Sequence, residues 1–267
     1  MISRIAVILG LCTSLTAAQA ARSPNWTNSV VAVCELRYRV VRESLVVDTT
    51  VVGTATLIAD AKFVYAATAR HVVRGLDSVY LRFPLANGRH ALAKVGGSVP
   101  YNFIFPEDTL LDLSLTLVVM PKGSDALPFD PTSFAQPGDL TPGKELRVVG
   151  FPVSVRVPDD VPFVKFGMVS AIPDTSGNYY IDSNVFPGNS GGAVIIPPGL
   201  VMDSLNVQEL GRYLNPRLAG IVVGYLPYRE IARSDQTGRA RVEFEENSGI
   251  TLIVTPQALL RFLQNRK

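Results

Sequence analysis

Ser190 stands among glycines in Phe186-Pro187-Gly188-Asn189-Ser190-Gly191-Gly192-Ala193-Val194, immediately before an apolar run. A serine hydroxyl is a weak nucleophile until a base reaches it and backbone N–H groups face the oxyanion that its attack creates. Gly188, Gly191 and Gly192 suit such a turn, because a missing side chain opens backbone angles closed to other residues and lets a carbonyl approach the main chain. Alone, this run is also what an ordinary turn into the strand Ala193 to Ile196 looks like. Two further residues change the balance. His71 follows a β-rich run in Ala66-Ala67-Thr68-Ala69-Arg70-His71-Val72-Val73, and Asp112 lies inside Leu110-Leu111-Asp112-Leu113-Ser114-Leu115. Histidine, aspartate and serine thus follow one another at separations of 41 and 78 residues, as base, orienting acid and nucleophile.

The chain has two histidines, and a lone histidine beside an apolar face is usually structural. His90, in Gly88-Arg89-His90-Ala91-Leu92, sits at a polar-to-strand transition and reads as a surface residue. His71 has the company a general base needs, and an imidazole can take up and return a proton at neutral pH. An aspartate among leucines is costly unless its carboxylate is paired, and the His71 ring N–H is a fitting partner for Asp112. Asp108, in Pro106-Glu107-Asp108-Thr109, reads as a loop carboxylate.

These motifs together resemble the trypsin-like (chymotrypsin-fold) serine peptidases, and more closely their bacterial, disulfide-free branch with the Deg-type heat-shock peptidases. The resemblance also takes in Gly53-Thr54-Ala55-Thr56-Leu57-Ile58, the Thr141 to Pro152 run ending Val149-Gly150-Phe151-Pro152, and Ser248-Gly249-Ile250-Thr251-Leu252-Ile253-Val254-Thr255-Pro256. It implies an all-β fold of two six-stranded antiparallel Greek-key β-barrels with the active site between them and a C-terminal α-helix. Ser190 would attack, His71 would move the proton, Asp112 would orient the histidine, and the N–H groups of Gly188 and Ser190 would form the oxyanion hole. The substrate pocket would have Asn184 at its base and walls from Val223, Gly224 and Tyr225 and from Gly249, Ile250 and Thr251. Asn184 is no carboxylate, and neither histidine is free for the pocket, so a small or medium uncharged side chain is expected before the scissile bond. Leu218 to Gly224 resembles the strand that receives the peptide by backbone pairing.

The elements that must position these residues read as follows. Ser29 to Val40, Val51 to Ala59 and Lys62 to Thr68 have strand patterns, with Asp77 to Phe83 and Arg89 to Val95 after them. A first barrel over about 29–120, a linker over about 121–140 and a second barrel over about 141–255 follow. The stretch Pro121 to Pro142 is rich in turn-forming residues and poor in periodicity. Phe163 to Ile172 and Tyr179 to Asp182 are further strands. Two segments depart from the family: 197–216, with a helical pattern around Leu205, Leu210 and Leu214, and the charged stretch Tyr225 to Asn247. Thr255 can cap, and Pro256 can open, a terminal helix over about 256–265.

The first 20 residues read as a signal peptide: Arg4, an apolar run from Ile5 to Leu15, and Ala18-Gln19-Ala20 before the cut. That run is too short to span a bilayer. Cys12 follows Leu11 and not a small residue, which argues against lipoprotein processing. We therefore expect an exported, periplasmic or secreted protein with no membrane span once processed. Without Arg4 the chain has 24 basic against 23 acidic residues, which gives no case for nucleic-acid or membrane-surface attraction. Only Cys34 of the two cysteines survives processing, so no intrachain disulfide can form, and its apolar strand context marks it as a buried hydrophobe.

The expected function is peptide-bond hydrolysis on a polypeptide substrate through an acyl-enzyme, without metal or organic cofactor. The expected start Ala21-Arg22-Ser23-Pro24 is not the Ile/Val terminus of an activated zymogen, so activity directly after export is expected. The competing class is a catalytically silent or latent protein of the same fold serving as an exported binding module. An esterase of the Ser, Asp, His order is excluded, because no histidine follows Ser190.

Overall fold

The computed structural model describes residues 25–42, 44–76, 78–96, 102–153, 161–173, 177–201 and 212–266. The leader read over residues 1–20 lies outside them. Strands rich in valine, isoleucine and threonine dominate, as those residues suit a pleated, half-buried surface. β1 (Val30–Val41), β2 (Ser44–Ala59), β3 (Val64–Thr68), β4 (Val79–Pro84), β5 (His90–Val95) and β6 (Ser114–Val118) form one antiparallel sheet in the order β5-β4-β1-β2-β3-β6. Its two ends share no ladder, so this half is a half-barrel. Ile104 occupies the outer edge of β6 with hydrogen bonds to and from Leu115 of 2.7 and 2.9 Å, on the edge that β5 would have to meet.

The second half closes fully. It is built from β7 (Glu145–Gly150), β8 (Phe163–Ala171), β9 (Asn178–Asp182), β10 (Ala193–Ile196), β13 (Arg217–Arg233) and β14 (Ala240–Val254), in the order β10-β13-β14-β9-β8-β7. Between β10 and β13, β11 (Gly199–Val201) and β12 (Arg212–Leu214) pair as a separate two-stranded ribbon. The helical pattern read there is corrected at Leu214, which is in a strand, while Leu205 and Leu210 lie outside the described residues.

Two strand pairs run well beyond the halves they belong to. β1 and β2 stay paired out to Val41 and Ser44, with Arg42 at φ 47 in the turn. Tyr38, Val40, Leu45 and Val47, which the register places on one side, are all exposed. β13 and β14 remain paired from Ile221 with Val254 out to Arg233 with Ala240, so the charged Tyr225 to Asn247 segment is a β-ribbon.

Among the described residues the interior falls into two apolar clusters. One, around Leu146, Val148, Tyr179, Ile181, Val222 and Ile253, fills the closed barrel. The other includes Val31, Leu57, Leu81, Phe83 and Leu115 from the half-barrel, and also Val149, Ala193, Ile195, Leu218 and Ile221 from the barrel. It therefore crosses the seam. The stretch read as a linker contributes to it as well: Phe129 is bonded on both sides to β2, and Phe134 bridges Leu218. The terminal helix α2 (Pro256–Asn265) starts at Thr255, whose hydroxyl accepts from the Ala258 N–H, and lays Ala258, Leu259, Phe262 and Leu263 on that same cluster.

Candidate functional site

β3 ends at Thr68, and one turn of helix, α1 (Arg70–Val73), follows. Val72 and Val73 are buried, which leaves His71 facing outward. Asp112 sits between buried Leu111 and Leu113, just before β6. Its carboxylate takes hold of His71 twice, with Oδ2 2.5 Å from the ring Nδ1 and Oδ1 accepting from the backbone N–H at 3.0 Å. The Asp112 carbonyl also accepts from the Arg70 N–H at 3.3 Å. Burial pushes this carboxyl up, but the hydrogen bonds and charge of His71, with the charge of Arg70, outweigh it and hold Asp112 below the usual carboxylate value. An ionised acceptor at Nδ1 puts the ring proton there and leaves the Nε2 lone pair free to act as a base. An open recess of about 670 Å³ lies over these groups, lined by Arg70, His71, Arg74, Phe105, Pro106, Thr109 and Asp112. Asp108 is a loop carboxylate whose Oδ1 accepts from the Leu110 N–H.

The serine loop enters from β9 and leaves into β10. Gly188 has φ 95 and Gly191 φ 86, angles that side chains rarely adopt. A Cβ on Gly188 would come within 2.3 Å of the Phe151 carbonyl oxygen, and one on Gly191 within 1.8 Å of that of Thr54. The loop is closed by Asn189 N–H to the Phe186 carbonyl (3.0 Å), Gly192 N–H to Asn189 (2.9 Å) and Gly191 N–H to Val222 (2.7 Å). The N–H groups of Gly188 and Ser190 have no acceptor among the described residues. Nor, among these residues, does any hydrogen bond join Ser190 Oγ to His71, a contact that often tightens only with substrate.

The expected pocket residues are neighbours through their hydrogen bonds. Gly249 accepts from the Ser183 N–H at 2.9 Å, the Thr251 hydroxyl donates to the Ser183 carbonyl at 2.6 Å, and Asn247 Nδ2 donates to the Val185 carbonyl at 2.5 Å. Asn184 is pinned between these points, and Tyr225 pairs with Thr251 across the ribbon's base. Val223 is buried, while Gly224, Tyr225, Gly249 and Ile250 are partly open. Sequence reasoning missed Lys165 here. Its ammonium donates to the Asn184 carbonyl at 2.5 Å and stands 4.1 Å from the centre of the Phe186 ring, and burial lowers its pKa. His90 is only half exposed and lines a smaller recess with Arg82 and Phe151, so its reading as plain surface is refined.

Among the described residues no group of three or more His, Cys, Asp or Glu side chains could hold a metal ion, and no helix is long and apolar enough to cross a membrane. Residues 53–201 match the family described as the trypsin-like peptidase domain. The chain belongs to that family.

Solved structures agree on the trypsin-like fold. The MamO protease domain from Magnetospirillum magneticum is 17% identical, with a TM-score of 0.52 over 90% of this chain and 97% of that one. The serine endoprotease from Yersinia pestis is 19% identical, with a TM-score of 0.51 over 91% and 65%. The HtrA-type protease AlgW, solved with a decapeptide, is 18% identical, with a TM-score of 0.53 over 89% and 64%. The chain thus spans just under two thirds of the latter two proteins. No protein of curated function matches it in sequence.

Proposed function

We propose that this trypsin-like chain hydrolyses peptide bonds through an acyl-enzyme. Ser190 attacks the scissile carbonyl, His71 Nε2 takes its proton and returns it to the leaving amine, and Asp112 fixes the ring and steadies the imidazolium. Gly188 and Ser190 present their N–H groups to the oxyanion. The observation that carries this reading is the double hold of the Asp112 carboxylate on His71, at ring and main chain, beside a serine loop whose Gly188 and Ser190 N–H groups have no acceptor among the described residues. The side chain before the scissile bond enters between the 183–185 and 249–251 segments and is small or medium and uncharged. The leader over residues 1–20 directs the protein to the periplasm or beyond the cell.

A fluorophosphonate probe tests the reading. The folded protein is expected to take the label stoichiometrically, and Ser190→Ala and His71→Ala to lose it. A folded parent that takes no label, with no peptide hydrolysis, overturns the enzyme reading in favour of an exported binding module.

A further inference from the structure

The direction of the two oxyanion donors is decided by peptide planes, because the C=O and N–H of a trans peptide point opposite ways. The carbonyl before each donor therefore fixes the donor. Four successive carbonyls in this loop are held from outside or across the turn. Pro187 accepts from the Val153 N–H at 2.9 Å, which turns the Gly188 N–H away from Val153. Gly188 accepts from the Thr54 hydroxyl at 2.7 Å, which turns the Asn189 N–H toward Phe186. Asn189 accepts from the Gly192 N–H at 2.9 Å, which turns the Ser190 N–H outward. Ser190 accepts from the Thr54 N–H at 2.9 Å.

Thr54 supplies two of these four bonds and supports a third. Its Oγ1 also accepts from the Phe151 N–H at 2.8 Å, anchoring the strand end that brings Val153 to Pro187. The hydroxyl is thus used as both donor and acceptor, and the residue is fully buried at the seam between the two halves. Thr54 is itself braced: Thr68 Oγ1 donates to its carbonyl at 2.6 Å, and Ser114 Oγ donates to the Thr68 carbonyl at 3.1 Å. Thr68 lies three residues before His71, and Ser114 two after Asp112. One buried polar chain therefore runs from the aspartate's strand through the histidine's strand to the serine loop.

We propose that Thr54 is the positioning residue for the oxyanion hole, acting from the first half of the molecule on the peptides that follow the two donor residues, by holding the Gly188 and Ser190 carbonyls, and through Phe151 on the strand end whose Val153 N–H holds the Pro187 carbonyl. This rests on the peptidase reading above. Thr56, whose hydroxyl holds the Gly191 carbonyl at 2.9 Å, lies beyond the two donors and serves as the control.

The test compares Thr54→Val, Thr54→Ser, Thr54→Cys and Thr56→Val, all confirmed folded, using peptide hydrolysis and hydrogen–deuterium exchange over residues 186–192. Thr54→Val is expected to lower kcat by about 10- to 100-fold with KM within about twofold, since misdirected donors cost transition-state stabilisation and not ground-state binding. Thr54→Ser is expected to restore most of kcat, and Thr56→Val to stay within about threefold of the parent. If the valine variant does not fold, Thr54→Cys, with its weak S–H donor, is expected to give an intermediate kcat. A folded Thr54→Val or Thr54→Cys with parental kcat overturns the proposal, as does a serine variant no better than valine. If the parent itself neither labels nor hydrolyses, the peptidase reading fails, and exchange then decides the positioning role. Faster exchange across 186–192 in the valine or cysteine variant upholds it, and unchanged exchange overturns it.

Discussion

Asp112 grips His71 by two atoms at once, its Oδ2 at the ring Nδ1 and its Oδ1 at the main-chain N–H. Orientation of the imidazole and placement of its backbone are therefore not separable. An amide at position 112 has one oxygen where the carboxylate has two, and its NH2 can face the ring only by favouring the wrong tautomer.

Asp112→Asn is accordingly expected to lower kcat/KM by about 10³- to 10⁴-fold near neutral pH. The folded carboxyl titrates below its ordinary value, so the carboxylate's contribution is complete above that ordinary value and is lost as pH falls through the lowered one. The loss caused by the substitution should therefore be fully present at pH 7 to 8. Peptidase assays across that range check this.

Gly191→Ala is expected to destabilise by more than about 3 kcal/mol or to prevent folding, because the new Cβ meets a backbone oxygen and the φ is unsuited to it. Urea unfolding of the Ser190→Ala protein with and without the change measures it free of self-digestion.

Asp139 pairs with Arg217 and accepts from the Gln136 N–H at 2.7 Å, tying the segment between the halves to β13. Burial raises this carboxyl, but the bonds from Gln136 and Arg217 and the charges of Arg217 and Lys144 carry it below its usual value. Its stabilisation is thus present above the unfolded carboxylate pKa and disappears as pH drops through the folded one. With solvent screening the pair, Asp139→Asn is expected to cost about 0.5–1 kcal/mol at pH 7 and close to nothing at pH 2. Denaturant titrations at the two pH values check the difference.

From Leu226 to Glu246 the side chains of the β13–β14 ribbon are exposed almost throughout. Replacing Tyr228 to Glu246 by a two-residue turn is expected to shift Tm by less than about 3 °C, since the deletion removes no core contact. Thermal unfolding followed by circular dichroism checks this.

The chemistry of this chain was legible because each candidate residue carries its own local signature: glycines about Ser190, leucines about Asp112, a strand ending before His71. Both long ribbons were less so. Val41 to Thr50 holds no glycine or proline to mark a reversal, and Arg42 makes the turn in the left-handed region unaided. The stretch read as a linker lacks periodicity because it is anchored by single residues such as Phe129 and Phe134, not by a face. The helical reading failed at Leu214, which pairs with Gly199 in a short ribbon, because a leucine suits a short strand as well as a helix. Thr54 passed unnoticed since a threonine in a strand interior is unremarkable by type. The signal that could have found it was three threonines, Thr54, Thr56 and Thr68, on strands that bury every neighbour.

The apolar cluster that crosses the seam has a thermodynamic consequence. Val149, Ala193, Ile195, Leu218 and Ile221 belong to the closed barrel by hydrogen bonding but to the half-barrel by packing, and α2 covers the same cluster. Neither half can shed its partner without exposing its own interior. The two therefore melt as one cooperative unit, in a single calorimetric transition, and a protease that nicks the chain between them releases no autonomous fragment.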